Sequence, residues 1–221
     1  SPNMVRVLLA AGTAPDVTTP GGDTPLMIAA RTGRVEVLRQ LLVAGAAVNA
    51  AERWKGQTAL MWAAAEGNDE AILTLIAAGA NIEARSAGQL SPLLFGVRQG
   101  HTAAVSALLN AGADVNAPTN DGTSPLALAV INAHFELANL LLDHGADPTL
   151  ADPRGSVLHA LAWIRRPGSG RPPPPTGTVD SLDLARALLD AGADPNLRLS
   201  WRERPFEIDL GIVKPPPGIS V

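Results

Sequence analysis

The sequence predicts an all-α repeat fold, a solenoid of stacked helix-turn-helix units, and three observations carry that expectation. The triplet Thr24-Pro25-Leu26 returns as Thr58-Ala59-Leu60, Ser91-Pro92-Leu93, Ser124-Pro125-Leu126 and, weakened, Ser156-Val157-Leu158, with leucine spacings of 34, 33, 33 and 32 residues. Gly45-Ala46, Gly79-Ala80, Gly112-Ala113 and Gly145-Ala146 keep nearly the same beat. Each follows a paired aliphatic step: Leu41-Leu42, Leu75-Ile76, Leu108-Leu109 or Leu141-Leu142. A unit of this size cannot bury a core alone, so neighbouring units must stack on one another.

The half unit at 1–18 opens the array. Met4, Val5, Val7, Leu8 and Leu9 align with Val37, Leu38, Gln40, Leu41 and Leu42. Residues 1–12 are therefore expected to form the second helix of an incomplete unit, not a signal peptide, and the N-terminus to be a cut one.

Full units follow at 19–51, 52–84, 85–117 and 118–150. In each, a hydroxyl residue caps the first helix by accepting an orphan backbone N–H. Pro25, Pro92 and Pro125 occupy the first helical position, where a missing N–H costs nothing. In the second of these units Gly67 closes the first helix. Asp69-Glu70 open the second helix near the positive end of its dipole, and Gly79 ends it. Ala71, Ile72, Leu75 and Ile76 lie at helical spacing, committing one face to packing. Only 3% of residues are aromatic against 46% apolar, so close approach of alanine-rich helices must replace a thick aromatic core.

The fifth unit, 151–197, is longer. Its helices are separated by an insertion at 165–179 containing Arg165, Arg166, Arg171 and Pro172 to Pro175, a polyproline II composition. It is either a docking arm for an aromatic groove or a tolerated surface excursion. Helical pattern resumes at Asp180-Ser181-Leu182. A sixth triplet is due near 201–207 and does not come; 198–221 are a non-repeat tail, either a cap or a loop toward further repeats. Both ends are expected to be fragment ends.

With this period and these triplets the chain resembles the ankyrin-repeat family over roughly residues 1–197. The resemblance implies units of a β-turn finger followed by two antiparallel helices, and a non-catalytic scaffold for protein partners. Family members usually carry His after the Thr-Pro-Leu triplet. Here that station holds Met27, Met61, Leu94, Ala127 and, last, His159, so apolar packing is expected to replace polar linkage between turns. The phrasing of the repeats also resembles long ankyrin arrays of bacteria, which implies an exported or periplasmic setting.

Chemistry is sparse. His101 and His134 share one helix-entry station in successive units, and His144 and His159 stand apart, with no histidine pair at the spacing of a helical metal site. The serines at 91, 124 and 156 are caps. No phosphate-cradling glycine loop and no nucleophile elbow occur. No enzyme, cofactor or metal is expected. A net charge of −4 without basic tracts argues against nucleic acid. The apolar runs near 41–48 and 71–80 are broken and fall short of the roughly 20 residues a membrane helix needs. Zero cysteines exclude disulfides and thiolate chemistry and fit cytosolic and exported proteins alike.

What is left is a binding surface, which the resemblance puts on the turn tips and first-helix face. The candidates are Arg31, Arg53, Trp54, Lys55, Gln57, Glu66, Arg85, Arg98, Gln99, Asn120, Asn132 and Trp163. Asp23, Thr32, Leu90, Thr123 and Ile131 map beside them. Cations dominate, which favours an acidic protein partner. Trp54 beside Arg53 is either an interface anchor or a cover for its turn, whereas Trp62 and Phe95 are assigned to packing. A monomeric scaffold is expected. The alternatives are head-to-tail self-assembly into filaments and an ankyrin portion of a larger protein whose enzymatic domain lies elsewhere.

Overall fold

A computed structural model describes residues 1–150, 155–165 and 177–197. The proline run at 172–175 and the tail at 198–221 lie outside the described residues. Eleven α-helices and no strand are found among the described residues: α1 Pro2–Ala10, α2 Pro25–Arg31, α3 Val35–Val43, α4 Ala59–Glu66, α5 Asp69–Ala77, α6 Pro92–Gln99, α7 Thr102–Asn110, α8 Pro125–Ile131, α9 Phe135–Asp143, α10 Val157–Ile164 and α11 Ser181–Asp190.

The helices form two layers. α2, α4, α6, α8 and α10 stack in chain order, α1, α3, α5, α7, α9 and α11 stack beside them, and each first helix also packs on its own second helix. The core runs continuously between the layers. Leu26, Leu60, Leu93 and Leu126 fill it from the first helices, and Leu41, Leu75, Leu108, Leu141 and Leu188 from the second. Truncating one such leucine to alanine costs about 2–5 kcal/mol.

Capping starts every first helix. Thr24, Thr58, Ser91, Ser124 and Ser156 accept the N–H three residues on at 3.2–3.4 Å. The station expected to be purely apolar is partly polar. Met27 and Met61 turn their sulfurs back to accept the Thr24 and Thr58 N–H groups at 3.4 and 3.5 Å, as His159 Nδ1 does for Ser156 at 3.3 Å. The thioether is a weak acceptor, yet it satisfies the same orphan donor an imidazole would.

Two side-chain ladders tie unit to unit. Asn68 Nδ2 donates to the Ala30 and Arg31 carbonyls at 2.8 and 3.0 Å, His101 Nε2 to Ala65 O at 3.1 Å, and His134 Nε2 to Arg98 O at 3.3 Å. Each side chain thus closes the C-terminus of the preceding first helix. At the other end of the units, Asp16 accepts from Ala47 N–H, Asn49 from Asn81, Glu83 from Asp114, and Asn116 from Asp147, all at 2.7–3.2 Å.

Candidate functional site

The fingers rise at the edge where the first helices begin, and the second finger shows how one is built. Glu52 is only 6% exposed. Its carboxylate gathers the N–H groups of Trp54, Lys55 and Gln57 at 2.6, 2.8 and 3.0 Å. Burial alone would raise the Glu52 pKa, but the three backbone donors outweigh it and hold the carboxyl below its ordinary range. Finger joins finger through backbone bonds: Arg53 N–H to Gly21 O at 3.2 Å, and Ala87 N–H to Lys55 O at 2.7 Å.

The fingers and first helices enclose an inner face. Between the second and third full units lies a pocket of about 390 Å³. Lys55 and Gln57 border it from the finger, Met61, Trp62, Ala65 and Glu66 from α4, and Phe95, Arg98 and Gln99 from α6, with His101 beneath. On the other side of Trp62, a cavity of about 210 Å³ is lined by Thr19, Asp23, Met27, Ile28, Arg31 and the same indole. Arg31 lies over the Trp62 ring at 5.2 Å and Arg98 over the Phe95 ring at 5.2 Å.

The structure therefore brings together Arg31, Lys55, Gln57, Glu66, Arg98 and Gln99. Arg53 and Trp54 stand at the tip of the same finger, with Trp54 81% exposed while its Nε1 edge approaches Gly21. Asn120 is exposed on the fourth finger. Three candidates are spent internally. Arg85 Nη1 donates to the Gln89 and Pro118 carbonyls at 3.0 Å each, bracing the third finger against the fourth. Asn132 Nδ2 donates to Leu128 O at 2.9 Å, closing its own helix. Trp163 is half-buried against the core.

The sequence assigned Trp62, like Phe95, to packing, and Trp62 does pack partly buried against the core. Phe95 is buried as assigned, but the half-buried Trp62 is the wall shared by both cavities, and its Nε1 is buried without a hydrogen-bond partner. The available signal was its register: Trp62 is equivalent to Ile28, which is 42% exposed, so the station is not wholly interior. On the second-helix side, a further pocket of about 390 Å³ lies between α1 and α3, lined by Leu9, Glu36, Arg39, Gln40 and Val43 among others.

Among the described residues no group of three or more His, Cys, Asp or Glu side chains could hold a metal ion, and no helix is long and apolar enough to cross a membrane. His134 has a lowered pKa because burial disfavours its charged form; the nearby His101 adds to this and the Arg98 carbonyl opposes it.

Two helix layers with fingers along one edge define a repeat solenoid, a class whose extended face serves recognition. The family follows from a model of ankyrin repeats, in three copies, that matches residues 1–86 and 83–152: the chain belongs to the ankyrin-repeat family. The ankyrin-repeat domain of Bcl-3, described as a unique member of the IkappaB protein family, is similar in structure. The TM-score is 0.72 at 31% identity, covering 89% of this chain and 82% of that one. No curated protein matches significantly. Ankyrin repeats are protein–protein interaction modules.

Proposed function

We propose that this chain is a non-catalytic scaffold that binds a protein partner across the second and third fingers and the inner ends of α4 and α6. One observation carries it: Lys55, Trp62 and Arg98 converge with Gln57 and Gln99 on one open pocket of about 390 Å³, and the exposed Trp54 precedes Lys55 in the same finger. Aromatic and arginine side chains at a concave surface are the combination that dominates interface energetics. Cations on this face outnumber Glu66 and Asp23, although the chain as a whole carries a net charge of −4. The expected partner is acidic.

A pull-down from native extract tests the face. Trp54→Ala/Lys55→Ala removes two side chains that make no side-chain hydrogen bond with a described residue, Lys55 lending Glu52 only a coulombic contribution, and Val43→Asp/Leu73→Asp alters the exposed second-helix side. Partner loss with the first pair alone supports the proposal. Loss with the second pair alone overturns it.

A further inference from the structure

Two guanidinium groups on the inner face are positioned but unspent. Arg31 and Arg98 each lie over an aromatic ring at 5.2 Å, an attraction that helps to hold the planar head in place, and both residues are exposed. Neither makes a hydrogen bond or ion pair through its guanidinium with any described residue, unlike Arg85, Arg39 and Arg186. Each borders a cavity, and the two cavities share Trp62 as a wall. The buried Trp62 Nε1, without a partner, leaves a further donor unsatisfied in that wall.

A fixed guanidinium edge suits a planar, two-oxygen acceptor better than any neutral group. Trp62 and Phe95 are equivalent positions on adjacent first helices, which pack about 8–10 Å apart. With Arg31 approaching Trp62 from the preceding unit, the two cations stand on the order of 10–15 Å apart. An extended chain covers about 3.3 Å per residue and alternates its side chains between two faces, so that span is met on one face by residues four apart. The acids already on this face do not neutralise the pair: the Asp23 carboxylate accepts from Thr19 Oγ1 at 3.0 Å, and Glu66 is exposed at the pocket rim.

We propose that Arg31 and Arg98 are two carboxylate stations flanking Trp62, which take an extended acidic peptide of a protein partner with its Asp or Glu side chains four residues apart. The proposal rests on the inner face being the binding surface. Between the stations, the apolar flank of Trp62 receives the intervening residues, and Glu66 disfavours a third acidic group there.

The test is selection from a random peptide library displayed on phage, against the full chain, against Arg31→Gln/Arg98→Gln and against Trp54→Ala, each checked by circular dichroism for an unchanged fold. The enriched sequences are then synthesised and titrated by fluorescence anisotropy. The expected result is enrichment of acidic pairs at four-residue spacing. Affinity should fall about tenfold for each single arginine substitution. It should rise for Glu66→Gln and weaken in high salt. Enriched peptides that lack the acidic pair, or that bind the double arginine variant equally well, overturn the stations. If those peptides are lost with Trp54→Ala, the binding face itself stands. No enrichment on any chain, or tighter binding of a single-stranded oligonucleotide than of any peptide, overturns both.

Discussion

Gly67 and Gly100 are constrained twice. Their φ angles of +70° and +77° favour glycine, and a Cβ at either would press within 2.7 or 2.6 Å of the imidazole of His101 or His134. Ala133, at the equivalent station, tolerates φ +58° with its Cβ present. Gly100→Ala is therefore expected to destabilise the fold by more than the roughly 1 kcal/mol of left-handed strain alone, because the His134 ring and its bond to Arg98 must shift. Ala133→Gly is expected to be neutral or mildly stabilising. Thermal melts of the two variants check the pair, and equal losses would contradict this account. His134 adds a pH effect. Its folded pKa lies below the unfolded value, so the unfolded chain binds the proton more readily and stability falls as pH drops below about 6.5. His134→Gln should remove this part of the acid sensitivity in melts between neutral pH and pH about 5.

At the scale of single elements, two buried or half-buried carboxylates organise chain segments that hydrophobic pattern alone leaves loose. Glu52 builds the second finger, and Glu136 at the start of α9 accepts the N–H groups of Thr178 and Val179, the latter at 2.8 Å. Glu136 thereby moors the segment leading into α11, next to Asp180, whose side chain caps that helix through Leu182 and Asp183 N–H at 2.7 and 2.9 Å. For Glu136, burial tends to raise the pKa and the donors of Val179 and Thr178 overcome it, so its folded value is lowered. Both acids therefore stabilise the fold above their ordinary value near 4.5, and the contribution is lost as pH falls through the folded value. Glu52→Gln puts an amide NH₂ among backbone donors and should cost about 1–3 kcal/mol at neutral pH. The gap in melting temperature from the parent should narrow steadily on acidification below pH about 4.5. A gap independent of pH would sink the assignment.

Across the whole molecule, stability is expected to be passed between neighbours, not drawn from one centre. The loop ladder carries four consecutive links from Asp16 to Asp147, but Thr149 at the next station turns its hydroxyl back to Asp147 at 2.6 Å. Between the fourth and fifth units the Glu136 mooring replaces that link. α1 buries nothing, and α11 buries only Leu184 and Leu188. Hydrogen exchange should therefore be slowest in α4 to α8 and fastest in α1 and α11, with Glu136→Ala accelerating α11 selectively. Uniform protection along the chain, or acceleration spread over every helix, would contradict nearest-neighbour coupling.

The sequence by itself determined the period, the helix pairs, the caps and the two-layer core, since each of these is written within one unit: a hydroxyl before the first helix, a glycine after it, aliphatic residues at helical spacing. The inner face was legible only as a set of equivalent positions. Which of those side chains meet was decided by the tertiary structure, because their partners lie in the neighbouring unit, 33 residues on for Arg85 and Pro118, 36 for His101 and Ala65. A repeat period says that Arg31, Arg85 and Arg98 belong to finger or first-helix stations. It takes the stacked units to show that Arg85 is consumed by a neighbouring carbonyl while Arg31 and Arg98 rest on aromatic rings with no hydrogen-bond or ion-pair partner among the described residues. The capping role of the methionines at the usual histidine station and the cavity-lining role of Trp62 went unread for the same reason: they follow from where a side chain finds a donor or a void, and spacing alone does not encode that.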